Sequence, residues 1–227
     1  MKNGKKPSIK RDELQKITLT DKQLKLYKTI RENTITFVQG PAGSSKTFTA
    51  CYTALTLLAE KKVNQIILVK PIKESGNENL GALPGDINDK IRPYLESFVT
   101  NFHKIIGKQS TEFMFSTNEI LFRALAYMRG TGYDRALIFV DEAQNMDYKS
   151  LMLVISRLGF ESKMIIAGDV SQYDIKKNVV ALPNFIELIK DLKGIASFEF
   201  KKEDIVRNRI LIEITDRYEK WKYENNL

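Results

Sequence analysis

Short, nearly unbroken apolar runs recur along this chain: "TITFVQ" (34–39), "QIILVK" (65–70), "ALIFVD" (136–141), "KMIIAGD" (163–169) and "ASFEF" (196–200). A strand with one face in water alternates apolar and polar residues; a strand apolar throughout needs cover on both faces. Longer segments with helical spacing separate the runs. In "DKQLKLYKTIREN" (21–33), Leu24, Tyr27 and Ile30 mark one helical stripe, with Thr20 ahead of it as N-cap. A last helix is expected around 204–222. Strands alternating with helices fold as a parallel sheet wrapped by helices. The predicted fold class is therefore α/β: one domain, a mostly parallel sheet and helices on both faces. The chain has 227 residues, 43% of them hydrophobic, enough to fill such a core. No internal repeat or low-complexity segment interrupts it.

The polar residues fall where such a sheet would use them. "QG", "KP", "DE" and "GD" stand at the ends of four of the runs. Open parallel sheets bind ligands beyond the carboxyl ends of their strands, so four strand ends aim polar groups at one edge. The first of them opens "FVQGPAGSSKTFTACYTAL" (37–55), a strand, a glycine turn and a helix. Against the phosphate-loop pattern G-x-x-x-x-G-K-[S/T], Gly40, Lys46 and Thr47 fit, while Ser45 replaces the second glycine. Gly40 and Gly43 let backbone N–H groups turn inward to phosphate oxygens, and the following helix adds the positive end of its dipole. On this reading Gly40, Pro41, Ala42, Gly43, Ser44, Ser45, Lys46, Thr47 and Phe48 form a nucleotide-binding loop. Lys46 would reach the β- and γ-phosphates and Thr47 would ligate Mg²⁺. Ser45 is expected to fit only if its φ is an ordinary negative one. The plainer alternative is a glycine turn with no ligand.

Two other strand ends strengthen the nucleotide reading. Asp141 can hold the hydration shell of Mg²⁺ opposite Thr47, and Glu142 can orient or deprotonate an attacking water. Gln172, in "GDVSQYD", carries an amide able to donate to a γ-phosphate and accept from water. Other chemistries lack their parts. A single histidine, His103, makes a histidine metal site or triad improbable, and a lone Cys51 excludes an internal disulfide and fits a reducing cytoplasm. The formal net charge is +8. Half of it lies in residues 1–16, where Lys2, Lys5, Lys6, Lys10, Arg11 and Lys16 face Asp12 and Glu13, a net +4. That stretch is read as a basic arm ahead of a domain spanning 17–227. It has no apolar core, so it is not a signal peptide. Such a balance permits nucleic-acid binding without showing it.

Taken in order, "GPAGSSKT", "LGALPGDINDKIRPYL", "AYMRG", "VDEAQN", "SRLGFESKMIIAGDVSQYD" and "FKKEDIVRN" resemble the PhoH-like proteins over roughly Ile17 to Ile214. The resemblance implies a single RecA-like P-loop NTPase domain, related to the first domain of superfamily 1 helicases. It implies ATP and Mg²⁺ as cofactors and a helicase-like ATPase acting on RNA or single-stranded DNA. In size and loop the chain is similar to short, phage-carried members, which would place it in the cytoplasm of a host. By the same resemblance Gln23 reads adenine and Arg207 is a trigger arginine. The family usually has Gly at the position of Ser45 and often Arg at that of Lys70. Lys70, Lys73, Arg92 and Arg129 are the candidate nucleic-acid contacts; their alternative is solvated loop. Tyr94, Tyr127 and Tyr133 are read as packing residues before base-stacking ones. One RecA-like domain leaves its γ-phosphate open on one side, so a homo-oligomeric ring is expected, six copies favoured. Two other functions stand beside this one: a nucleotide-dependent switch with slow hydrolysis, and a small-molecule kinase, for which no arginine-rich lid is present.

Overall fold

The computed structural model describes residues 9, 14, 16–71, 87–125, 128–130, 132–169, 181–206 and 209–224, with the backbone alone for some of these, 87–93 among them. Among the described residues there are six strands and seven α-helices. The strands are β1 (Ile35–Gln39), β2 (Gln65–Lys70), β3 (Ile120–Ala124), β4 (Ala136–Val140), β5 (Lys163–Gly168) and β6 (Ile195–Glu199). The helices are α1 (Asp21–Glu32), α2 (Lys46–Ala59), α3 (Ile87–Ile106), α4 (Lys108–Ser116), α5 (Tyr148–Ile155), α6 (Ala181–Ile189) and α7 (Arg209–Glu224). One sheet holds all six strands in the order β3-β2-β4-β5-β1-β6, and every pairing is parallel. The expected α/β architecture is thus present, with the sheet parallel throughout.

The apolar runs are buried as a two-sided strand requires. Successive residues alternate between two cores. Val38, Ile66, Leu68, Phe139 and Ile165 pack with residues of α1 to α4, whereas Phe37, Ile67, Ile138 and Ile166 pack with α5 and α6. β3 was not anticipated. Its sequence "ILFRA" contains Arg123 and is buried fully only at its two ends, as suits an edge strand. α1 starts where Thr20 predicts, through a reciprocal box in which Thr20 Oγ1 accepts from the Gln23 N–H and Gln23 Oε1 from the Thr20 N–H. The expected stripe is displaced, however: α1 buries Gln23, Leu26 and Ile30, and Leu24 is exposed. At 100° per residue Leu24 lies about 200° around the helix from Leu26, on the water side. Leu14 is buried in the first core and its carbonyl accepts from the Tyr52 hydroxyl, so packing reaches into the stretch read as an arm. Among the described residues no helix is long and apolar enough to cross a membrane.

Candidate nucleotide site

Parallel strands put all their carboxyl ends on one edge, and an open cleft of about 930 Å³ lies there. Its floor is the turn from β1 into α2. Gly40 has φ +144, and a Cβ there would meet Phe200 O at 2.6 Å, so the turn demands glycine where it crosses the end of β6. Within the turn, the Pro41 carbonyl accepts from Ser44 Oγ at 2.8 Å and from Lys46 Nζ at 2.8 Å. Lys46 Nζ also donates to Gly40 O. The ammonium, buried at the start of α2, is thereby held across the mouth of the loop that it would share with phosphates.

Ser45 corrects the sequence reading. It has φ 68 and ψ 21, the left-handed region, not a negative φ. The turn keeps the geometry that glycine provides elsewhere and forces it on a residue with a Cβ. The serine hydroxyl makes no capping bond to α2, so it offsets none of that strain by hydrogen bonding there.

The carboxylates come from the end of β4. Thr47, one residue into α2, donates to Asp141 Oδ2 at 3.3 Å. Asp141 is buried, and its pKa is raised from 3.8 to about 6, chiefly by burial and next by the neighbouring Glu142 charge; Lys70 and Lys46 oppose the shift. A buried carboxylate beside a second one calls for a cation, and a hydroxyl with a carboxylate is a hard oxygen pair. The pair fits Mg²⁺, which takes its remaining ligands from water and phosphate. Among the described residues no cluster of three His, Cys, Asp or Glu competes as a metal site.

Glu142 is also left-handed, at φ 59 and ψ 35, and caps a short turn over Ala143–Asn145. That turn aims Gln144 back at it: Gln144 Nε2 donates to Glu142 Oε2 at 2.6 Å. Gln144 Oε1 accepts from the Asp169 N–H at 3.0 Å, just beyond β5. Gly168 makes room for this bridge, since a Cβ there would lie 3.0 Å from Gln144 Oε1. The buried amide of Gln144 thus fixes Glu142 against two strand ends. Sequence reasoning missed this role; the only signal was a glutamine two residues beyond the carboxylates in "DEAQN".

The remaining expected site residues are spread unevenly. Gln23 lines the cleft from α1, with its Oε1 engaged by Thr20. Ala42, Gly43, Phe48 and Lys70 line it as well. Lys70, expected among nucleic-acid contacts, stands at the end of β2 on the nucleotide side, where its charge acts on Asp141. The far wall is one polar face of α3, with Glu96, Ser97, Thr100, Asn101 and Lys104 at helical spacing. Val206 also lines the cleft, and its N–H donates to Gly43 O at 3.2 Å. Arg129 is exposed after β3, away from the lining of the cleft. Gln172, Arg207, Lys73 and Tyr127 lie outside the described residues, as does the side chain of Arg92.

The fold and this cleft define a class: the RecA-like P-loop domains to which helicase motor domains belong. The crystal structure of the Pyrococcus furiosus Hef helicase domain superposes on it with a TM-score of 0.50 at 13% identity, covering 84% of this chain and 39% of that one, a likeness of fold. The family is narrower. The family model for PhoH-like proteins matches residues 16–219. A PhoH-like protein of Bacillus subtilis is 39% identical over 192 residues, covering 84% of this chain and 60% of its own. One from Synechocystis is 35% identical over 209 residues, covering 88% and 61%. This chain belongs to the PhoH-like family, and it spans about 60% of the length of these two relatives.

Proposed function

We propose that the chain binds Mg·ATP in the cleft, hydrolyses it to ADP and phosphate, and couples the cycle to RNA or single-stranded DNA. The observation that carries this reading is the meeting of Thr47 and Asp141 at 3.3 Å, with the loop and Lys46 on one side and Glu142 on the other. Bound Mg²⁺ would neutralise phosphate charge between Thr47 and Asp141. The loop N–H groups and Lys46 hold the phosphates. Glu142, with its Oε2 bonded to Gln144, leaves Oε1 to orient a water and take its proton. Gln23 has its carbonyl oxygen committed to Thr20, so it offers a base an N–H, the partner that adenine N7 accepts. Gln172 reports the γ-phosphate in this proposal. In this proposal nucleic-acid phosphates are bound by Lys73, Arg92 and Arg129, and Lys70 serves the nucleotide side from the cleft lining.

A homo-oligomeric ring, six copies favoured, would let Arg207 of one copy complete the site of the next. The bond from Val206 N–H to Gly43 O favours a second reading, in which Arg207 serves its own subunit. Mixing Lys46→Ala and Arg207→Ala chains separates the two: restored hydrolysis means a shared site, and a dead mixture with exchanging subunits means a self-contained one. The overall proposal is tested by phosphate release with and without RNA, single-stranded DNA and duplex. It predicts hydrolysis that a single strand stimulates. Slow hydrolysis indifferent to every nucleic acid would favour a nucleotide switch instead, and phosphate transfer to a small molecule would favour a kinase.

A further inference from the structure

At the opposite edge of the sheet lies a second cavity, of about 480 Å³, lined by Arg31, Leu57, Lys61, Lys62, Arg135, Glu161 and Lys163. Five of these seven are cations and one is a carboxylate. They arrive from four places: the end of α1, the turn after α2, the residue before β4 and the start of β5. The cavity is therefore about one strand length, roughly 17–20 Å, from the nucleotide cleft. Among the described residues the two share none.

Like charges gather here, some of them with structural partners. Arg31 is held by Glu60 at 2.8 Å and lies over the Tyr27 ring, yet its Nη1 is buried with no hydrogen-bond partner among the described residues. Arg135 meets Glu161 only at 3.7 Å. Lys163 donates to the Arg31 and Asn33 carbonyls that end α1, and burial with the Arg31 charge holds its pKa below the usual lysine range. Lys61 and Lys62 are exposed at the rim. Three of the lining residues, Lys61, Arg135 and Glu161, have positive φ of 56, 46 and 52, and none is glycine.

Next in sequence to the lining residue Glu161 stands an aromatic residue in a hydrogen-bonded loop. Phe160, next in sequence to Glu161, is 73% exposed. Its N–H donates to Asp134 Oδ1 at 2.7 Å and its carbonyl accepts from the Arg135 N–H at 2.7 Å. Ser162 Oγ donates to Tyr133 O and accepts from the Ala136 N–H. Gly159 lets these two segments touch, since a Cβ there would meet Asp134 Oδ1 at 2.2 Å. Most of this large apolar ring thus lies in water, carried by a hydrogen-bonded loop.

A basic cavity with an exposed aromatic one residue from its lining Glu161 has the parts that bind single strands: cations follow the phosphates, and bases stack on rings regardless of sequence. We propose that the amino-terminal edge of the sheet binds a short stretch of single-stranded nucleic acid, with phosphates in the cavity against Lys61, Lys62 and Arg135 and a base stacked on Phe160. The proposal rests on the nucleic-acid part of the function proposed above and adds a contact surface remote from the nucleotide.

The test is the anisotropy of a short labelled single-stranded oligonucleotide, titrated at several salt concentrations with wild type, Lys61→Glu/Lys62→Glu and Phe160→Ala. Thermal unfolding of each variant checks its fold. Losing two phosphate contacts should weaken binding and make the slope of log K against log salt shallower by about 1.4. Phe160→Ala should weaken binding about tenfold with the slope unchanged, and Phe160→Trp should restore it. Wild-type binding by both folded variants would overturn the proposal while leaving nucleic-acid binding elsewhere on the chain intact. A wild type that binds no oligonucleotide would overturn this proposal together with the nucleic-acid reading beneath it. Pyrophosphate that binds calorimetrically and is lost in Lys61→Glu/Lys62→Glu, with oligonucleotide binding unchanged, would make the cavity a small-anion site and would also overturn it.

Discussion

Ser45→Gly should stabilise this protein, an unusual outcome for a change inside a binding loop. Ser45 sits at φ 68 and ψ 21. In that region the Cβ crowds the following carbonyl, at a cost of about 1–2 kcal/mol. Glycine removes the crowding but loses more backbone freedom on folding, about 0.5–1 kcal/mol. The serine hydroxyl makes no bond that caps α2, so no compensating cap is given up. The difference is a gain of up to about 1.5 kcal/mol. For a chain of this size each 1 kcal/mol corresponds to a rise in Tm of about 2–4 °C. Ser45→Ala is the control, because it keeps the Cβ and loses only the hydroxyl; it should not raise Tm. The assay is thermal unfolding of the nucleotide-free protein by circular dichroism. A fall in Tm for the glycine variant, or equal behaviour of glycine and alanine, would refute the claim that backbone strain is what Ser45 contributes.

The other expectations concern the carboxylates. Glu142→Gln should keep ATP bound and slow turnover by about 10²-fold or more, the scale of a lost general base; unchanged turnover in a phosphate-release assay would remove Glu142 from the chemistry. Metal-dependent nucleotide binding should weaken as pH falls below about 6, where Asp141 takes up a proton. In the metal-free protein the sign is opposite: the raised pKa favours the fold below 3.8, and that contribution is lost as pH rises through about 6. Glu142→Gln should move the midpoint of binding down, because it removes the neighbouring negative charge; a flat pH profile in both proteins would refute the assignment. Gln144→Ala takes away the donor to Glu142 and the acceptor of the Asp169 N–H. Turnover should fall about tenfold with ATP affinity kept, and the buried N–H should cost about 1–3 kcal/mol in a denaturant titration.

Much of the fold was legible because two-sided strands leave an unambiguous mark. "QIILVK" is β2 residue for residue, and "ALIFV" is β4. The strand ends then located the cleft, since polar residues that stop an apolar run at the carboxyl end must face the same edge of a parallel sheet. β3 was not legible: an edge strand is covered less, and Arg123 within "ILFRA" breaks the pattern that marks the central strands. The stripe of α1 was misplaced because Leu24 is apolar yet exposed, while polar Gln23 is buried by its bond to Thr20. Backbone sign was hidden as well. Ser45 and Glu142 take left-handed conformations that their residue types do not announce. The role of Gln144 needed the approach of β5 to β4, and the basic cavity needed four distant segments brought together. Contacts of that kind exist only in the folded chain.

The central claim is a nucleotide site, and calorimetric titration of Mg·ATP into the wild-type chain tests it most directly. The loop, Lys46 and the Thr47–Asp141 pair predict saturable binding at one site per chain, sharply weakened without Mg²⁺ and in Asp141→Ala. Absence of any ATP binding by the folded wild-type chain would contradict the account, whatever the likeness of its fold.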